Sequence, residues 1–234
     1  MSPNIQTFIN SFQNRLEPPV RQHLKNVYGT LMMTCTAASV GACVDMFTKF
    51  QAGFLSVIIS AGLMLMLIAT PDDGKNTKQR LGYLAGFGLT TGMSMGPMLK
   101  CVSVLDPSII VTALLGTSLV FICFSISAML AERGSWLFLG GTLMTMFSSL
   151  FVMSLVNIFL QSEFIYQAHL YFGLIAVCAF VLYDTQLIIE KRRMGNKDFV
   201  QHALELFIDF IGIFRRLVII LKQKEEEQSR RKRN

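Results

Sequence analysis

Two aspartates stand where a carboxylate is expensive. Asp184 lies in LIAVCAFVLYDTQLIIE and Asp209 in LELFIDFIGIF, and a charged group at membrane depth normally marks function. Asp184 falls about six residues before the end of its apolar stretch, and Asp209 about six after the start of the next. At 1.5 Å rise per residue both sit roughly 9 Å in from the same face. The short hairpin 191–202 makes the two helices neighbours, so the pair is matched in depth and can meet side by side. Two carboxylates in a low-dielectric site do not easily both ionise; one stays protonated and the pair shares that proton. The shared proton is a latch between helices, and its loss leaves two repelling anions that attract a divalent cation. The same atoms thus form a pH-sensitive gate and a transient calcium site near Asp184 and Asp209, with no fixed metal. In the alternative, each aspartate is paired singly with an arginine or a hydroxyl and only orders the bundle.

The last apolar segment extends this pattern. Glu205, Asp209, Gly212 and Arg216 fall at i, i+4, i+7 and i+11, which is one face of one helix. Facing lipid, such a stripe is intolerable, so the helix is expected at the centre of a bundle or along a wet cation path. Arg216, about two turns from Asp209, can compensate its charge.

Gly88, Gly92 and Gly96 repeat every fourth residue and form a small-residue face for close helix packing. Pro97 is expected to end or kink that helix. Asp45 and Asp106 lie near helix ends and are expected to be exposed at the membrane interface. Asn157 and Gln186 are candidates for hydrogen bonds between helices. His23, His169 and His202 are far apart in sequence and suggest no metal site. The five cysteines form no CxxC pair; they are expected to be single buried thiols that pack as small apolar groups. No cofactor is implied.

These residues need helices to hold them in a membrane. Of 234 residues, 52% are hydrophobic and 15% charged, against about 25% charged in soluble domains. The charges cluster between long apolar stretches, each near the roughly 20 residues that a spanning helix needs. Strand-like alternation is absent, which argues against a membrane β-barrel. The expected fold is an all-α membrane protein with about seven transmembrane helices, over 27–47, 52–70, 81–98, 108–131, 136–160, 168–189 and 203–221. Around that domain, 27–221, lie an N-terminal segment, 1–26, whose Pro18 and Pro19 are expected to break any helix, and a charged C-terminal tail, 222–234. No signal peptide is expected before the first span, and no nucleic-acid partner is expected.

Orientation follows from the distribution of Lys and Arg. Arg15, Arg21 and Lys25, then Lys75, Lys78 and Arg80, then Arg133, then Lys191, Arg192, Arg193 and Lys197 all fall on one side; Lys49 and Lys100 fall on the other. The amino terminus is therefore expected in the cytosol. A full seventh span carries the basic tail to the opposite side, against the charge rule, and a re-entrant segment keeps both termini cytosolic. The sequence leaves both open.

FVLYDTQLIIEK (180–191) with HALELFIDFIGIFRR (202–216) resembles the C-terminal signature of the Bax inhibitor-1, or transmembrane Bax inhibitor motif, family. LGYLAGFGLTTGMSMGP (81–97), ALLGTS (113–118) and FLGGTL (138–143) are similar to the animal endoplasmic-reticulum members, in the same order. The resemblance implies six helices wrapped around a central C-terminal helix, in the endoplasmic-reticulum membrane. It implies a calcium leak gated by a hydrogen-bonded aspartate pair that senses pH, carried here by Asp184 and Asp209, with Glu205 at a pore-associated acidic position. It also implies suppression of stress-induced death, contacts with Bcl-family proteins and modulation of unfolded-protein signalling through stress sensors. Bacterial members carry charged residues in helix two that bond the pair; 52–70 here has none, so the closed-state lock must differ. The competing reading is a non-conducting scaffold that inhibits death through protein contacts. An intramembrane aspartyl protease is disfavoured, because Asp209 lies in FIDF rather than GxGD and no PAL motif is present; no enzyme activity is expected.

Overall fold

Each of the apolar stretches folds as helix. A computed structural model of the chain describes residues 16–48 and 53–233. Among the described residues are seven α-helices and no strand: α1 Pro18–Phe47, α2 Gly53–Ala69, α3 Thr77–Leu105, α4 Ser108–Leu130, α5 Leu139–Leu160, α6 Glu163–Arg193 and α7 Phe199–Arg233. Most of the expected N-terminal segment, with Arg15, lies outside the described residues, as do Lys49 and Asn234.

α1, α4, α5 and α6 are long and apolar enough to cross a membrane, and α2 is a shorter apolar helix. The surface is inverted relative to a water-soluble protein. Phe54, Val104, Leu119, Phe151 and Phe159 are exposed, while Arg80, Asp45, His202 and Thr185 are buried. α2 shows the logic within one helix: Ser56 and Ser60 turn inward, and Phe54, Leu55, Ile58 and Ile59 turn outward. An apolar solvent for the outer face explains that arrangement, since large side chains lose nothing there and polar ones must find partners inside. The protein is an all-α membrane protein.

Several expectations are corrected. Pro18 and Pro19 do not break a helix; they open α1. The first turn of a helix has no intrahelical acceptors for its N–H groups, so a proline there loses no bond, and Glu17 O receives Val20 N and Arg21 N at 3.0 Å each. Pro97 does not end α3, which runs on to Leu105; membrane helices accommodate an internal proline because neighbouring groups re-satisfy the freed carbonyl. The expected charged tail is helical, since α7 continues through Lys222 to Arg233. None of the five cysteines is buried: Cys43, Cys101 and Cys123 are exposed, and Cys35 and Cys178 intermediate. A thiol is apolar enough to sit on an outer face without a partner.

The chain forms two compact units. The first contains residues 22–111 and 197–207, the second 112–196 and 208–234 together with the residues up to Arg21. In the first, α2 and α3 form an antiparallel hairpin, tied by Ser60 Oγ and Thr91 Oγ1 at 3.0 Å. α1 and α3 run parallel: Gly88 lies on the carbonyl of Thr34, Gly92 on that of Ala38, and Gly41 on that of Leu89. A Cβ at Gly88 would come within 2.7 Å of Thr34 O, and at Gly92 or Gly41 closer still. The two backbones touch directly, which only the absence of a side chain permits.

In the second unit α5 and α6 pack together, with Gly140 beneath the ring of Tyr183. α7 runs antiparallel to α4, with Phe121 against Phe210 at 5.6 Å between ring centroids and Gly116 against Leu217. It also runs antiparallel to α6 along its length. Gly212 meets Val177, Arg216 meets Gly173, and Gln223 and Glu227 line a pocket with Glu163 and Gln167 of the first turns of α6. An unbroken helix that tracks α6 to its start does not turn back, so the re-entrant alternative for the last segment is set aside.

Candidate functional site

The antiparallel register of α6 and α7 decides where the two aspartates stand. Gly173, Val177, Phe180 and Asp184 follow one another at helical spacing, and the first two lie directly on α7. Asp184 is therefore on the stripe of α6 that faces α7. On α7, Asp209, Gly212 and Arg216 form the opposing stripe. Val177 lies against Gly212 and Arg216 against Gly173, so the two stripes run antiparallel, and Asp184 and Asp209 both lie on the side of these contacts where α6 ends and α7 begins.

Burial separates their roles. Asp209 is buried, at 7% exposure; Asp184, Glu205 and Arg216 are half-buried. Arg215 is exposed. The guanidinium of Arg216 folds back along its own helix, and Nη1 donates to Gly212 O at 3.1 Å. It lies over Gly173, where a Cβ would come within 2.6 Å of Nε. The two glycines of this interface admit a charged side chain between the helices. Arg216 thus places a fixed positive charge beyond Asp209, on the side away from Glu205.

Around this pair, the sequence reading found some bonds and missed others. Gln186 does bridge elements: its Oε1 accepts from Trp136 N at 2.8 Å, and its Nε2 donates to Glu132 O at 3.0 Å and Ala128 O at 3.3 Å. That clamps α6 to the end of α4 beside Asp184. Asn157 instead caps its own helix end, accepting from Ser162 N at 2.9 Å. Arg133, in the loop between α4 and α5, reaches Glu190 at 2.9 Å, and Arg193 holds the same carboxylate at 2.6 Å and Glu17 at 3.5 Å.

The larger misses lie in the first unit. Arg80, 2% exposed, makes a bidentate pair with Asp198 at 2.8 and 2.6 Å and an ion pair with Asp72 at 3.4 Å. Asp198 also accepts from Gln201 N at 2.9 Å, so it caps α7. His23 and His202 do meet: Nε2 of one lies 2.9 Å from Nδ1 of the other. Asp45, expected at an exposed interface, is fully buried against Gly96, with Lys100 Nζ at 3.3 Å. Asp106 is the interfacial carboxylate of the two; it accepts the backbone N–H and the hydroxyl of Ser108, each at 2.8 Å, and these bonds hold it below the usual carboxylate range. Arg80 within a loop-flanked segment and Asp198 before a helix start were visible as a charge and a cap, but nothing local paired them. Among the described residues no group of three or more His, Cys, Asp or Glu gathers to hold a metal ion.

Comparison with known proteins adds an independent line. Residues 20–226 match the family described as "Inhibitor of apoptosis-promoting Bax1". The chain is 49% identical over 212 residues, 90% of each sequence, to a protein of Paralichthys olivaceus named "Probable Bax inhibitor 1". It is 45% identical over 221 residues to "Bax inhibitor 1" of Homo sapiens, covering 94% of this chain and 93% of that one. With "Bax inhibitor 1" of Drosophila melanogaster it shares 44% over 235 residues, 100% of this chain and 96% of the relative.

Proposed function

The chain belongs to the Bax inhibitor-1 family, and from that premise we propose that it is a pH-sensitive calcium leak of the endoplasmic-reticulum membrane that suppresses apoptosis and modulates unfolded-protein signalling. The observation that supports the reading is the antiparallel α6–α7 interface, with Val177 on Gly212 and Gly173 on Arg216, whose helical stripes continue to Asp184 on α6 and Asp209 on α7. In this reading the two carboxylates form one titrating unit. With one proton between them they tie α6 to α7; without it they repel and present two negative charges to a divalent cation. Glu205, one turn earlier on the same face of α7, extends the acidic path, and Arg216 limits it at the other end with a fixed positive charge.

The amino terminus and the 191–202 hairpin face the cytosol in this reading, and the basic end of α7 leaves from the side where α6 begins. Calcium and membrane lipid are the direct partners; Bcl-family proteins and stress sensors are the expected protein contacts. A second reading has an observation of its own. Arg216 packs two turns from Asp209 and offers charge compensation, which suits a non-conducting scaffold whose aspartates only order the bundle.

Calcium flux from proteoliposomes of the purified protein, measured across pH, separates the two. The leak reading expects Asp184→Asn and Asp209→Asn each to flatten the pH dependence, and the double variant to be little worse than either single one, since the two act as a unit. Glu205→Gln changes throughput more than the pH response. Wild-type pH profiles in both single variants overturn the sensor, and absence of flux in the wild type favours the scaffold.

A further inference from the structure

We infer that His23 and His202 form a second proton-binding site, built of two imidazoles and limited to a single added proton, that ties the start of α1 to the start of α7. The site stands whether or not the α6–α7 carboxylates gate an ion path. Both rings are at least nine-tenths buried, at 5% and 1% exposure. Their facing nitrogens are 2.9 Å apart and the rings are edge-to-face, 5.1 Å between centroids at 83°.

The limit of one proton follows from the bond. In an N–H···N contact one ring supplies the hydrogen and the other a lone pair. A first added proton goes to the far nitrogen of the donating ring, because the accepting ring already carries its own hydrogen on its far nitrogen. The cationic ring then donates to its neutral partner, and the bond becomes charge-assisted and stronger. A second proton places N–H against N–H at 2.9 Å, with two cations about 5 Å apart, and the rings must separate. The pair therefore takes up one proton while closed and a second only by opening, as a coupled unit rather than as two independent histidines.

The surroundings favour that first proton. One turn before His202 lies Asp198, bonded to Arg80, which also reaches Asp72; three residues after His202 lies Glu205. The positions of α1 one turn from His23 (Pro19, Val20, Asn26 and Val27) carry no charge. Lys25 of α1 and Lys78 of α3 are exposed. Three carboxylates thus stand against one buried guanidinium, and a single positive charge on the imidazoles is compensated.

The test is histidine-selective 15N NMR of the full chain in detergent micelles, titrated from mildly alkaline to mildly acidic pH. His169→Gln identifies the third histidine. The expected result is a 15N–15N coupling across the bond between His23 Nε2 and His202 Nδ1 and uptake of one proton, not two, by the pair while the helices stay packed. His202→Gln should leave His23 titrating alone, and Asp72→Asn, which removes one negative charge without touching either ring, should move the pair's uptake to lower pH. The coupling is read on the unmodified protein, so the outcome does not depend on the variants folding. No coupling, two independent protons on the packed protein, or no proton taken up before unfolding overturns the proposal.

Discussion

The α1–α3 interface and the α6–α7 interface both depend on glycine, and they use it in opposite ways. Between α1 and α3, Gly41, Gly88 and Gly92 bring backbone onto backbone, and nothing else fits between. Between α6 and α7, Gly173 and Gly212 make room for the guanidinium of Arg216. The first arrangement is a dry contact whose charged groups are closed into pairs at its ends, Arg80 with Asp198 and Lys100 with Asp45. The second holds buried and half-buried polar groups, Asp209, Asp184 and Arg216. The same residue type therefore builds a rigid seam in one place and a polar, adjustable one in the other. Sequence spacing alone does not distinguish them; what lies opposite each glycine does.

The comparison breaks most readily at the closed pairs. Arg80→Met leaves the Asp198 carboxylate with its main partner gone, and removal of one member of a buried pair costs about 3–5 kcal/mol. The variant is expected to show the largest drop in thermal unfolding temperature in detergent, together with fraying at the start of α7 visible as faster amide exchange at 199–203. An unfolding temperature within a degree or so of wild type, which corresponds to well under about 1 kcal/mol, shows that the pair is not closed as described.

Gly92→Ala tests the seam itself. The added methyl meets the carbonyl of Ala38, a backbone atom that can yield only if α1 moves, so overpacking of about 1–3 kcal/mol is expected. Gly173→Ala sharpens the contrast. Its methyl meets the far end of the flexible Arg216 side chain, which can swing aside, so the loss of stability stays below about 1 kcal/mol. In the leak reading, the displaced guanidinium changes calcium flux while stability is kept. Equal destabilisation by Gly92→Ala and Gly173→Ala removes the distinction between the two interfaces.

Asp106 marks the low end of the scale, since it lies in a loop outside both seams. Its bonds to Ser108 lower its folded-state value. The stability it contributes is thus present above the ordinary carboxylate value, near 3.8, and is lost as pH falls through the lower folded value. Asp106→Asn is expected to lower the unfolding temperature slightly at neutral pH, with the gap to wild type closing in acid. A gap that widens in acid contradicts the sign of the shift.

How much of this was legible in the sequence depends on the range of the interaction. Asp184 and Asp209 stand out because a carboxylate in an apolar run is a local anomaly and a short hairpin guarantees that its two helices are near. The stripe Glu205, Asp209, Gly212, Arg216 follows from 3.6 residues per turn. The register between the two helices is of longer range, because the loop length sets which helices are neighbours and side-chain packing, Val177 on Gly212, sets how they slide. Pro18 was misread for a related reason: the cost of a proline depends on whether its missing N–H had a partner, and that is settled by position within a finished helix.

By itself, the sequence determined the all-α membrane class, the seven helices, and the faces on which acids and glycines fall, because hydropathy and helical period are properties of neighbouring residues. Only the tertiary structure decided that His23 meets His202, 179 residues on, that Arg80 closes on Asp198, 118 residues away, and that Asp45 is buried beneath Lys100. Periodicity states which face of a helix is polar but not which helix that face will meet. A buried polar group must be satisfied, yet many partners of the right chemistry exist along the chain, and packing selects among them.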